Sequence, residues 1–216
     1  VHIAIPWLVL EITGSSANAG VVLGVSGFSV IFTAPIIGGL IAVLGARPVS
    51  IWADIISAAS VLLFPIVGTL FGLNLASLLI IAIAGALFDP AGATARKSLI
   101  QAVAERDGLS LTKFNGTYEA AATIGTVIGP TGAALAISFV GINTTFYLIA
   151  IVFVLASCLA FFIPVVTSHI RTKQSFSVGN VFRETRIGMN ALWRDKPLLS
   201  LVGLYTLLTA IYMPVE

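Results

Sequence analysis

Gly125-Thr126-Val127-Ile128-Gly129-Pro130-Thr131-Gly132-Ala133 lies inside an apolar run, residues 118–140, whose one charge is Glu119 near its start. In a helix, Gly125, Gly129 and Gly132 fall on roughly one face. Pro130 removes an amide from that helix and bends it. About 20 apolar residues in helical form cross the roughly 30 Å of a bilayer's hydrocarbon, and within lipid every backbone amide must be paired, which favours a helix over an open strand. A glycine-lined face there lets a second helix backbone approach closely, the main route to helix association where no hydrophobic driving force operates.

The rest of the chain has the same character. Of its 216 residues, 58% are hydrophobic and 9% charged, against roughly 45–50% and 25% in soluble domains. That composition excludes a cytosolic enzyme, a disordered tail and a collagen-like fibre, and predicts an all-α membrane protein. Apolar runs occur at residues 1–12, 19–44, 49–71, 75–88, 118–140, 145–166 and 198–215. The first reads as the tail of a span and the last as the start of one. Lys and Arg number 0, 1, 0, 4, 0 and 6 in the successive connections, so all eleven fall on one side. The positive-inside rule assigns that side to the cytoplasm.

These runs divide the chain into an N-terminal bundle (residues 1–166), a cytoplasmic linker (167–197) and the start of a second bundle (198–216). In the linker, Val178, Phe182, Met189 and Trp193 fall near helical spacing. That stretch is either an amphipathic helix on the inner leaflet or a solvated basic linker. The chain begins at Val1 and stops within an apolar run, which leads us to expect a fragment of a longer protein. An internal echo supports a repeat: Ala34-Pro35-Ile36-Ile37-Gly38-Gly39 and Gly129-Pro130-Thr131-Gly132-Ala133-Ala134 share the pattern small-Pro-x-x-small-small three spans apart. Spans so related run in opposite directions, as an inverted three-plus-three repeat requires.

The segment from Gly125 to Ala133 resembles the fifth-helix signature of major facilitator superfamily drug antiporters, G-x-x-x-G-P-x-x-G-G, with Ala133 at the last-but-one position. Gly38-Gly39-Leu40-Ile41-Ala42-Val43-Leu44-Gly45-Ala46-Arg47 resembles that family's loop between helices two and three, with Gly38, Leu40, Gly45 and Arg47 matching. Ala42 stands where the family has an Asp that anchors an inter-helix charge network, and Val43 where it has a basic residue. The residues from Pro6 to Ser15, and Phe88-Asp89-Pro90-Ala91 followed by Arg96, are similar to the ends of helices one and four in bacterial exporters of the family. The resemblance implies a major facilitator-type bundle: the N-terminal six-helix half, with its inverted repeat, of a twelve-helix secondary transporter in a bacterial plasma membrane. It implies efflux by alternating access driven by a proton or other ion gradient, with no bound cofactor. An uptake permease of the same fold is the alternative, and a non-transporting membrane scaffold or enzyme is another.

The site expectations follow from charge and depth. Asp54 lies about 7–8 Å inside the third span, and Glu119, Asp89, Arg47, Arg96, Lys97 and Lys113 gather at the same membrane side. Ionisable groups in spans are costly and mark function. We therefore expect a cytoplasmic gate built from Asp54, Arg96 and Glu119, with Arg96 or Arg47 as the partner of Asp54, replacing the charge lost at Ala42. The competing reading is interfacial charges snorkelling to water. Arg96 falls beyond the fourth apolar run, so the Arg that the resemblance places within that span is expected to be missing. Trp7, Glu11, Phe28, Phe32 and Tyr147 are the expected lining of a cavity for an amphipathic or lipophilic small molecule. The partners expected are the bilayer, that molecule and the C-terminal half, with no nucleic acid. His2 and His169 give no ligand spacing, Cys158 reads as a small hydrophobe, and no metal site or nucleophile–base arrangement is legible.

Overall fold

In a computed structural model, residues 3–108, 110–163 and 177–212 are described. They form eight helices and, among the described residues, no strand: α1 (Ala4–Thr13), α2 (Ser16–Leu44), α3 (Ala46–Leu70), α4 (Leu75–Arg106), α5 (Leu111–Val140), α6 (Ile142–Phe162), α7 (Val178–Arg194) and α8 (Lys196–Tyr212). The helices α3, α4, α5 and α6 are each long and apolar enough to cross a membrane. So is α2, taken as two segments, Ser16–Val30 and Thr33–Leu44, that meet at 44°. The bend falls where Pro35 withholds its amide from the preceding turn.

The helix ends are written in the sequence. Ser15 and Ser110 cap α2 and α5, accepting from the amides of Asn18 and Lys113. Asn74 and Ser77 form a reciprocal capping box at α4. Gly45 (φ 88°, ψ 155°) ends α2 and Gly141 (φ 80°, ψ 164°) ends α5, and each leads straight into the next helix. That backbone region is open essentially to glycine alone. Pro35 and Pro130 are each the twentieth residue of their helices. Cap, proline and terminator therefore recur in step between α1–α3 and α4–α6, as the inverted repeat requires.

The core lies around α3, which packs most closely on α4 and α6. Phe64 stacks on Phe146 with ring centroids 5.0 Å apart, and Val9, Val22, Leu78 and Ile81 close around them. By contrast, α5 touches α6, α4 and α1 but buries none of its residues. In the linker, α7 forms and lies against α2 through Val181 and Thr185. The expected apolar stripe, Val178, Phe182, Met189 and Trp193, is exposed on it. His2, His169, Arg171 and Lys173 lie outside the described residues, as do the far end of the sixth apolar run and residues 213–216.

Two boundaries differ from expectation by more than a turn: α5 starts at Leu111 and not at Tyr118, and α4 outruns its apolar stretch. The fourth apolar run stops at Phe88, whereas α4 continues to Arg106. Hydropathy falls at Asp89, but the sequence after it, Ala91 to Arg106, is rich in strong helix formers. Pro90 is accommodated within the helix, as packed membrane helices allow. At about 1.5 Å per residue the helix is close to 48 Å long, well beyond the hydrocarbon thickness. Asp89 and Arg96 are therefore residues of a helix and not of a loop.

Candidate functional site

The seam between α3 and α4 holds the most buried charge. Asp54 is 2% exposed, and one guanidinium nitrogen of Arg96 donates to both of its carboxylate oxygens at 2.7 Å. Gly92, one turn before Arg96, makes this possible. A Cβ added there would stand 2.7 Å from Asp54 Oδ1 and 3.1 Å from Arg96 Nη1. The sequence reading missed Gly92, although a glycine four residues before a helical Arg marks the surface that the arginine folds back over. Of the two partners expected for Asp54, the structure supplies Arg96. Arg96 is a residue of α4, which runs on past the end of the fourth apolar run.

The other expected gate charges take separate partners. Glu119 pairs with Lys97 at 2.8 Å, both side chains more than half exposed, an arrangement worth little in stability. Lys97 also sits 5.7 Å from the Tyr118 ring centre. Arg47 donates to the Phe161 carbonyl and lies 5.0 Å from the centre of the Phe161 ring. It therefore satisfies a carbonyl at the C-terminal end of α6, where cations are favoured. These contacts gather Arg47, Asp54, Arg96, Lys97 and Glu119 at one end of the bundle.

The glycine motifs divide into covered and bare. Gly39 is covered: an added Cβ would collide with the Thr185 hydroxyl and stand 2.6 Å from the Val181 carbonyl oxygen of α7. The Thr185 hydroxyl in turn donates to the Pro35 carbonyl at 3.2 Å. Gly45 needs its positive φ. Gly38, Gly125, Gly129 and Gly132 have nothing within 4 Å of an added Cβ. The α5 face that Gly125, Gly129, Pro130 and Gly132 present is open, with Ile124, Val127 and Ile128 exposed beside it.

The expected cavity residues do not converge. Trp7 and Glu11 share a shallow cavity with Leu10, Ile137, Ser138 and Ile142, where α1 meets the α5–α6 junction. Phe28 on α2 and Tyr147 on α6 are exposed elsewhere. Phe32 is in α2, and its side chain lies outside the described residues. Among the described residues, no group of His, Cys, Asp and Glu could hold a metal ion.

The family model of the Major Facilitator Superfamily matches residues 1–215. The chain belongs to that superfamily. It is 32% identical over 99% of its length to the multidrug efflux pump Tap of Mycolicibacterium fortuitum, covering 53% of that protein. It is equally identical to the Tap pump of Mycobacterium tuberculosis strain H37Rv, covering 52%. The chain thus spans about half the length of the curated relatives it matches. No solved structure matches. This is a family of membrane transporters and not of enzymes, and the described helices are those of a multi-pass membrane protein.

Proposed function

We propose that this chain forms the N-terminal half of a secondary active exporter that moves an amphipathic or lipophilic small molecule out of the cell. The transporter works by alternating access in a bacterial plasma membrane, driven by proton uptake. The observation that carries this reading is the bare α5 face of Gly125, Gly129, Pro130 and Gly132, on a chain that matches multidrug efflux pumps along its whole length. A membrane helix with a long open glycine surface calls for a packing partner, and a second six-helix half is the partner of matching size. A glycine surface also slides with little steric resistance, which rocking of two halves around a central cavity requires.

The basic connections face the cytoplasm in this reading. The Asp54–Arg96 pair, with Gly92 beneath it, belongs to the cytoplasmic gate, and the exposed Lys97–Glu119 pair tethers α4 to α5 at the same end. Substrate binding shifts the balance between inward- and outward-open states by contacting them differently. Trp7 and Glu11, which share a cavity, remain the lining positions of choice.

The test is reconstitution of the full-length protein in vesicles with a fluorescent lipophilic dye. The reading expects an imposed proton gradient to drive uphill dye movement and an uncoupler to stop it. Impermeant labelling of a cysteine placed at Lys113 should occur from the cytoplasmic side. Dye movement indifferent to the gradient sinks proton coupling, and labelling from the outside sinks the orientation.

A further inference from the structure

Helix α7 has one seated face and one uncovered stripe. Val181 and Thr185 rest on α2 at Gly39 and Pro35. Val178, Phe182, Met189 and Trp193 are 46–68% exposed. Residues four and seven apart share a helix face, so these four form one continuous apolar band beside the seat. Arg186, also exposed, is four residues from Phe182 and three from Met189, and therefore borders the band. Arg194 follows Trp193, and Lys196 opens α8. Asp195 between them is engaged as a cap, accepting from the Leu198 amide at 3.2 Å. Glu184 lies 3.8 Å from Arg183 and lines a cavity on the α2 side, with Pro35 and Leu192. The outward edge of α7 is thus apolar and basic.

Depth says what this edge meets. Gly39 and Pro35 stand five and nine residues before Leu44, the last residue of α2, or about 8 and 14 Å along the axis. The headgroup zone of a bilayer is about 5–8 Å thick on each side. With Leu44 at the outer edge of that zone, Gly39 lies where headgroups meet acyl chains, and α7 lies there with it. At its other end α7 passes through Asp195 into α8, whose sequence turns apolar at Leu198. Both ends of α7 therefore stand beside membrane segments. A cytosolic protein could reach the band only by lifting α7 off α2, whereas lipid already surrounds this level. Exposed Trp and Phe with arginines alongside suit a helix lying in the interface plane, and a guanidinium can hold a phosphate by two hydrogen bonds.

We infer that α7 is an interfacial helix that binds anionic phospholipid of the inner leaflet. Val178, Phe182, Met189 and Trp193 enter the acyl boundary, and Arg186, Arg194 and Lys196 hold the phosphates. A negatively charged leaflet attracts such a basic segment. The lipid in turn keeps α7 down on α2, where Thr185 donates to the Pro35 carbonyl. The choice of leaflet rests on the cytoplasmic placement of the basic connections proposed above.

The test uses the full-length protein with Met189→Cys as its sole cysteine, carrying a fluorophore. It is placed in vesicles of phosphatidylcholine and phosphatidylglycerol in equal amounts, with bromine on the acyl chains of one lipid or the other. Brominated phosphatidylglycerol should quench the label several-fold more than brominated phosphatidylcholine. Arg186→Gln combined with Arg194→Gln should make the two lipids equal, whereas Arg106→Gln, away from α7, should leave the preference in place. A label quenched by aqueous iodide and by neither lipid overturns the inference, because α7 then lies in water. A label shielded from iodide and from both lipids also overturns it, because the other half or a second copy then covers the band. Equal quenching by the two lipids with Arg186 and Arg194 present overturns the headgroup site. A preference for phosphatidylglycerol in a protein whose cysteine at Lys113 is labelled from outside upholds the lipid site and sinks the orientation reading instead.

Discussion

Helices α2 and α5 are built to one pattern and end in different surroundings. Each starts at a serine cap, bends at a proline in its twentieth position and stops at a glycine of nearly the same backbone conformation. Yet α2 packs against α1 and α4 and is met by α7, whereas α5 buries nothing. Local signals set the shape of both helices, but what lies against them is decided elsewhere in the chain. Where α2 has Gly39 four residues past its proline, α5 has Ala134. The first position cannot hold a Cβ against Val181 and Thr185, while the second carries one in the open.

The largest expected effect is at the seam that joins the two repeats. Arg96→Ala leaves Asp54 buried and unpaired, and should cost about 3–5 kcal/mol, read as a fall in thermal midpoint in detergent. The double change Asp54→Asn, Arg96→Gln should recover much of it, because it leaves no buried charge behind. If Arg96→Ala is as stable as the wild type, the seam is not what holds α1–α3 to α4–α6.

Next comes the contrast between the twin helices themselves. Gly39→Leu should displace α7, exposing a cysteine placed at Val181 to rapid thiol labelling and costing about 1–3 kcal/mol by overpacking. Ala134→Leu, at the equivalent place in α5, should stay within about 0.5 kcal/mol, as surface changes do. Equal effects at both positions would erase the contrast. Gly45→Ala and Gly141→Ala test the likeness instead. Each forces a side chain into a glycine conformation and should lose about 1–3 kcal/mol, the two losses matching. Ser15→Ala and Ser110→Ala should lose about 1 kcal/mol apiece, the smallest matched pair, measured in the same way.

Much of this architecture is legible in the sequence, for identifiable reasons. Apolar length reports the spans, because lipid penalises an unpaired or polar backbone. The proline–glycine echo reports the repeat, because a proline and a positive-φ glycine act on the backbone wherever they stand. Depth and sign report that Asp54 pairs with Arg96 or Arg47, and the choice of Arg96 appears only in the structure. Hydropathy cannot report where a helix stops once it leaves the membrane, so α4 was expected to end 18 residues early, at Phe88, and Arg96 was expected outside it. Nor can it report rotation about the axis of a helix that is apolar all round. Phe28 and Tyr147 therefore do not join Trp7 and Glu11. Gly92 escapes for a related reason, since its use appears only when Asp54 is seen across the seam.

The central claim is that the α5 face of Gly125, Gly129 and Gly132 is a moving contact between two halves, open in this half alone. Replacing Gly129 with Leu in the full-length protein tests it most directly, by measuring dye efflux alongside membrane insertion. The account predicts normal insertion with efflux lost, because a leucine added to a sliding surface blocks it. Efflux at the wild-type rate would contradict the account and leave Gly129 facing lipid in every state of the cycle.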